Sequence, residues 1–164
     1  MLIRFATAHD IPAWEALATA VSPLFQHPTD LGHDPEFREY LRRKVAAFEA
    51  LVAVDYRSGA CMGFLGFSRT HNHDSWFAVA EVYRGKGVGS RLLMTAIRQL
   101  DHTQAISVVT FTAEYPPGRA ARTLYQRFGF ADSEETLLRN SERCRFYHDF
   151  GRYRYSAPES PKHN

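Results

Sequence analysis

Arg84-Gly85-Lys86-Gly87-Val88-Gly89 sets glycine at every second position among basic side chains, with Ser90 and Arg91 following. The chemistry such a stretch can do is anion binding. Where a strand runs into a helix, the first backbone N–H groups have no intrahelical partner, and the helix dipole adds roughly half a positive charge beside them. Glycine removes the side chains that would hold an anion away and also permits φ > 0. A phosphate is the natural guest, with Lys86 and Arg84 adding charge and the guanidinium able to pair bidentately. The same residues would also serve a tight turn with solvated charges. Two nucleotide readings are disfavoured: there is no G-x-x-x-x-G-K-[ST], and the glycine spacing is not G-x-G-x-x-G in a first strand–helix unit.

Other residues that could do chemistry are scattered. Glu81 ends the strand before the glycines and Glu114 follows a later β-branched run, so either could accept a proton. Both also suit solvated loop charges. His71-x-His73, with Asp74 beside it, could shuttle a proton or bind a metal, but two histidines in a polar turn read more simply as exposed. No metal is expected.

The elements that must position these groups follow from periodicity. "LIRFAT" alternates as a strand, and "HDIPAWEALATAV" reads as a helix with Asp10 at its N-cap and Pro12 in its first turn. The proline-rich segment after Val21 is expected as a loop. A second helix is expected from Pro35 to Ala50, then two strands around a turn at Arg57-Ser58-Gly59. "SWFAVAEVY" reads as a strand running into the glycines. From Gly87, Val88, Leu92, Ala96 and Leu100 recur with helical period, and "AISVVTFT" follows as a buried strand, completing a βαβ unit. A helix from Arg119 to Phe128 is closed by Gly129, and short strands are expected near 130–133 and 145–150. The fold class is α/β, with a mixed sheet.

Length and composition bound the rest. With 164 residues, 45% hydrophobic and 13% aromatic, residues 1–150 form one domain, and the Pro-rich tail 151–164 is expected to be flexible. A net charge of +2 is too small to argue for nucleic-acid binding. Cys61 and Cys144 suggest neither a disulfide framework nor a zinc site, and no apolar run approaches the ~20 residues of a membrane span. The expectation is a cytoplasmic protein with no membrane partner.

Two motifs carry a resemblance. Arg84, Gly87 and Gly89 match [RQ]-x-x-G-x-[GA], the acyl-CoA pyrophosphate signature of the GNAT superfamily of N-acetyltransferases, and "ARTLYQRFGF" (121–130) resembles the A-x-x-L-Y-x-x-x-G-F segment of the same family. The resemblance implies a mostly antiparallel sheet whose two central parallel strands splay, flanked by about four helices. It implies acetyl-CoA as acetyl donor, its pyrophosphate on residues 85–90 (Gly85, Lys86, Gly87, Val88, Gly89, Ser90) with Arg84 beside them. The pantetheine arm would run along Ala78, Val79 and Ala80, the Val79 N–H polarising the thioester carbonyl. Tyr125 would stand near the sulfur and give a hydrogen bond to the departing thiolate, which a phenol near pKa ~10 does more readily than full proton transfer to a thiol near ~8.5. The same tyrosine lies on the helix's apolar face and would also suit the core.

The acceptor implied is a primary amine of a small molecule or peptide, received by the first two helices, their proline-rich connection and the final strands; Trp14, Phe25, Phe37 and Tyr40 could line it, although each suits the core or the underside of the loop better. Homodimers are common with this resemblance. Two positions depart from the family: Gly118 stands where many members carry Asn, and Glu81 where many carry proline. A non-catalytic acyl-CoA-binding module on the same fold is the alternative.

Overall fold

A computed structural model describes residues 1–25, 30–132 and 143–148, the last segment as backbone alone. Four strands come first in space: β1 (Leu2–Phe5), β2 (Ala50–Val54), β3 (Cys61–Ser68) and β4 (His73–Val79), each antiparallel to the next. Beyond β4 lies β5 (Ile106–Phe111), parallel to it, and then β7 (Arg143–His148) and the two-residue β6 (Ala131–Asp132), both pairings antiparallel. The order across the seven-stranded sheet is β1-β2-β3-β4-β5-β7-β6.

Four helices cover this sheet: α1 (Ile11–Val21), α2 (Pro35–Ala46), α3 (Val88–Ile97) and α4 (Arg119–Arg127). β2 is buried on both faces and shows how they are divided. Leu51 and Ala53 join Leu65, Leu92, Leu93 and Tyr125 in the core under α3 and α4. Ala50 and Val52 join Trp14, Leu41 and Phe64 under α1 and α2. Period-two alternation thus feeds two cores from one strand.

Several boundaries differ from the periodicity. α2 stops at Ala46 rather than Ala50, because Phe48 takes a left-handed φ of 53° and closes a Schellman cap: Glu49 N–H donates to Lys44 O at 2.9 Å and Phe48 N–H to Val45 O at 3.1 Å. Asp10 stands at the α1 N-cap without capping it. Its carboxylate instead takes both Arg4 Nη groups at 2.7 and 2.8 Å, and the Thr7 N–H. β4 begins at His73 and ends at Val79, so Glu81 lies in a short 3-10 turn, Glu81–Tyr83, rather than in the strand. The tail 151–164 and the ends of the last two expected strands lie outside the described residues.

Candidate functional site

The parallel pair in mid-sheet does not stay paired. β4 meets β5 only at His73↔Ser107 and Asp74↔Val108, and beyond those residues the two strands part. Asn72 pins the closed end. It is buried, with φ 47°; its Nδ2 donates to the carbonyls of Asp101 (2.9 Å) and Ala105 (3.1 Å), and its Oδ1 accepts the Asp101 N–H at 2.8 Å. Ser107 N–H then donates to Asn72 O at 3.0 Å. The open end exposes backbone. Ala80 N–H donates to Met62 O at 3.0 Å, so by the alternation of an antiparallel ladder Val79 turns its N–H and C=O away from β3 and into the gap. Ala78 and Ala80 turn theirs toward β3. Arg84 Nε donates to Val79 O at 3.1 Å, tying the glycine segment to this edge.

A cavity of about 200 Å³ occupies the gap and is lined from both faces of the sheet. Phe25, Leu31, Phe37 and Trp76 line it on the α1–α2 side, and Asp74, Phe77, Ala121 and Tyr125 on the α3–α4 side. It is therefore a passage that spans the sheet from one face to the other.

Tyr125 is held on the wall of this passage by the end of its own helix. Gly129, at φ 84°, lets Phe130 N–H return to Tyr125 O at 3.1 Å and Gly129 N–H to Gln126 O at 3.0 Å. This is a second Schellman cap, and its apolar contact is the edge-on packing of Tyr125 against Phe130 at 5.4 Å between centroids. The sequence G-F thus fixes the ring of the tyrosine four residues before the glycine.

The Tyr125 hydroxyl donates to Asp74 Oδ2 at 2.7 Å. Asp74 reaches this face through a β-bulge. Gly66 opposes Trp76 but Phe67 opposes Asp74, so Ser75 is the extra residue of β4. Without it Asp74 would share the α1–α2 face with Trp76; with it, Asp74 shares the face of Phe67, Phe77 and Tyr125. Its carboxyl is fully desolvated, and burial pushes its pKa up to about 7, with the Tyr125 hydrogen bond pulling the other way. Oδ1 is buried and has no hydrogen-bond partner among the described residues. A buried carboxylate that titrates near neutrality, hydrogen-bonded to a phenol on the wall of a through-passage, can take up a proton and return one through the same bond.

At the other end of α3 the three glycines answer to different demands. Gly85 and Gly87 have φ of 72° and 79°, and a Cβ on either would meet nothing within 4 Å. Gly87 is the N-cap of α3, and Arg91 N–H makes the first intrahelical bond to its carbonyl at 3.1 Å. The amides of Val88, Gly89 and Ser90 precede that bond and have no intrahelical acceptor. Gly89 faces inward: a Cβ there would come within 3.2 Å of Leu124 and 3.4 Å of Phe77, so it sets the close approach of α3 to α4 and β4. Lys86 Nζ lies over the Tyr83 ring at 5.7 Å. Open left-handed backbone, free-standing helix amides and basic side chains fit a pyrophosphate.

The remaining candidates divide. Phe25 and Phe37 line the passage, whereas Trp14 is wholly buried and stacks on Phe64 at 4.9 Å. Tyr40 donates to or accepts from Ser75 Oγ at 2.7 Å and borders a second, separate cavity. Glu81 and Glu114 are exposed, and neither lines the passage that holds Tyr125. His71 and His73 bond Ser68 and Ser107 hydroxyls at 3.0 and 2.8 Å. Among the described residues no group of three or more metal-ligating side chains is placed to hold an ion.

Gly118 has no room for a side chain: a Cβ would lie 2.2 Å from Phe111 Cβ. Phe111 has taken that space, stacked on Tyr115 at 5.1 Å and packed on Phe25 at 5.6 Å. Sequence reasoning missed Asp74 as a partner of Tyr125. The available signal was a carboxylate just ahead of the apolar run Trp76 to Val79 on the same strand.

Residues 14–130 match the sequence profile described as the acetyltransferase (GNAT) family. No curated protein sequence matches the chain. Solved structures of similar fold include the PaiA N-acetyltransferase of Thermoplasma acidophilum in complex with coenzyme A, at 12% identity and a TM-score of 0.71, with 90% of this chain and 98% of that one covered. A ribosomal-protein-alanine N-acetyltransferase from Brucella melitensis is 20% identical with a TM-score of 0.68, over 90% and 98% of the two chains. An N-acetyltransferase from Staphylococcus aureus Mu50 is 15% identical with a TM-score of 0.66, over 90% and 100%.

Proposed function

The chain belongs to the acetyltransferase (GNAT) family, and we propose that it moves an acetyl group from acetyl-CoA to a primary amine of a small molecule or peptide, with Tyr125 and Asp74 handling the protons. The observation that carries this reading is the passage through the sheet beside a buried tyrosine–aspartate pair. A donor can lie along β4 and α3 on one side while an amine arrives from the α1–α2 side, so the two reactants meet where the strands part. That one structure of this fold holds coenzyme A supports the donor assigned.

Acetyl-CoA, as the donor substrate, supplies the acetyl group as a thioester. The amides of residues 85–90, with Lys86 and Arg84, bind its pyrophosphate, and the Val79 N–H that faces the gap is the donor for the thioester carbonyl oxygen. In the transfer the amine nitrogen bonds to the carbonyl carbon and the carbon–sulfur bond breaks. The amine reacts in its neutral form, its ammonium proton already lost to solvent, and Asp74, ionised at the outset, accepts the proton that the nitrogen loses as the new bond forms. Tyr125 hydrogen-bonds the departing thiolate, and the proton held by Asp74 passes through the phenol to the sulfur. One proton leaves nitrogen and one reaches sulfur, so the pair returns to its starting state. The exposed Glu81 and Glu114 have no part in this scheme. The reducing cytoplasm is the setting proposed, consistent with the free thiol of Cys61.

The test is calorimetric titration with acetyl-CoA followed by thiol release in the presence of amines. Saturable binding and amine-dependent release of CoA are expected. Absence of binding in folded protein would sink the donor assignment, and binding without release to any amine would make the chain a non-catalytic acyl-CoA module.

A further inference from the structure

The α1–α2 mouth of the passage carries a chemistry of its own. Phe25, Leu31, Phe37, Trp76 and Phe111 form its wall, and Asp74 is the one ionisable carboxylate among the lining residues. Among the described residues no lysine or arginine lines it. A site for a polyamine or an amino sugar needs several acidic groups, one for each cation it desolvates. Among the described residues this one has a single acid, at its inner end, whose Oδ1 has no hydrogen-bond partner among them. A peptide amine would bring backbone N–H and C=O groups that must also be satisfied. Among the described residues the side chains lining it offer only Ser75, Thr110 and the Tyr125 hydroxyl besides Asp74, and the unpaired edge of β4 beyond Asp74 faces the donor.

The wall is also built of rings that pack on one another at a tilt. Phe37 packs on Trp76 at 5.6 Å and Phe25 on Phe111 at 5.6 Å. The Tyr115 hydroxyl donates to Leu24 O at 3.0 Å, tying the Phe25 segment to the β5–α4 connection. Phe111 is held by the lack of a side chain at Gly118. A cavity of roughly 150 Å³ accepts a benzene ring, so the passage of about 200 Å³, which also receives the thioester end of the donor, holds no acceptor body much larger than one ring.

We propose that the acceptor is a compact monoamine on an aromatic body, its ring between Phe37, Trp76 and Phe111 and its amine directed to Asp74. This rests on the N-acetyltransferase reading. Edge and offset ring contacts would orient the body, and the single acid would receive one amine nitrogen, which enters with its ammonium proton already lost to solvent.

The full chain, once acetyl-CoA binding is established, would be assayed with 2-phenylethylamine, n-butylamine, spermidine and an alanyl tripeptide by thiol release. The expected result is a kcat/KM for 2-phenylethylamine at least about 100-fold above the other three, in keeping with the discrimination apolar pockets reach. The amine should also quench tryptophan fluorescence of the CoA-saturated protein, a readout independent of turnover. Leu31→Glu adds a second acid at the half-buried mouth and should shift preference toward spermidine by about tenfold or more. Faster turnover of spermidine or the tripeptide by the parent protein, or equal turnover of butylamine, would overturn this inference and leave the N-acetyltransferase reading intact. Acetyl-CoA binding with no amine acetylated would overturn the reading beneath it.

Discussion

Replacing Asp74 with Asn should make the protein more stable at alkaline pH while removing its chemistry. The carboxyl ordinarily titrates at 3.8 and is pushed by burial to about 7. Between those values the native protein holds a proton that the unfolded chain has lost, so native stability falls as pH rises through the window and is fully reduced above pH 7. At about 1.4 kcal/mol per pH unit the whole effect is about 4 kcal/mol, an upper figure because relaxation and water entry soften it. Asn has the same shape and no charge, and its amide oxygen can still accept from the Tyr125 hydroxyl. All other titrations are common to both proteins and cancel. The advantage of Asp74→Asn over the parent should therefore grow by about 3 kcal/mol between pH 5 and pH 8 and then level off. Urea denaturation at several pH values would read it directly, with a corresponding Tm gain of about 2–4 °C per kcal/mol. A difference that does not change with pH would refute the desolvated-carboxyl argument, whatever the variant does to activity.

Three more outcomes follow from single contacts. Tyr125→Phe should lower kcat by about 10²–10⁴-fold and leave acetyl-CoA affinity unchanged, as measured by thiol release and calorimetry; unchanged kcat would remove the tyrosine from the scheme. Gly118→Asn places a Cβ 2.2 Å from Phe111 Cβ and should cost about 3 kcal/mol of stability in denaturant melts, which Phe111→Ala in the same chain should not relieve, since alanine keeps that Cβ. Gly87→Ala and Gly59→Ala put alanine at φ 79° and 73°, both in open space, so each should cost about 1–2 kcal/mol of stability. Only the first should weaken acetyl-CoA binding in a titration, by about tenfold or more; equal affinities would mean that the glycine segment is a turn and nothing else.

What the sequence made legible was local. The βαβ unit, the glycine-rich N-terminus of α3 and the Gly129 cap depend on residues within a turn or two of one another, and Val88, Leu92 and Ala96 do lie on the buried face of α3. What it hid was set by pairing across strands. Alternation alone gives Asp74 the face of Trp76, and only the register of β4 against β3 reveals that Ser75 is an extra residue. Glu81 read as a strand end because the apolar run continues past Val79, but β4 stops pairing there and the chain turns. The missing Asn at 118 read as a lost contact. It is better understood together with Phe111, seven positions earlier, whose ring needs the space that an Asn side chain would take.

The bulge at Ser75 also explains why one strand gap can be both open and exactingly lined. A parallel ladder needs both strands to keep the same pleat, and β4 changes its pleat immediately after the last pair, Asp74↔Val108. The residue that ends the pairing is thus the one that turns its carboxylate to Tyr125. An ionised acid in that position works against folding, so the surrounding structure must hold it from elsewhere. Asn72 does so from one side, with three side-chain hydrogen bonds across to the α3–β5 connection, and the capped end of α4 from the other. Both supports are built from positive-φ residues, Asn72 and Gly129, that fix backbone rather than add apolar area. The site's rigidity is therefore separable from the stability of the two cores, and substitutions at these supports should loosen the Tyr125–Asp74 pair before they unfold the sheet.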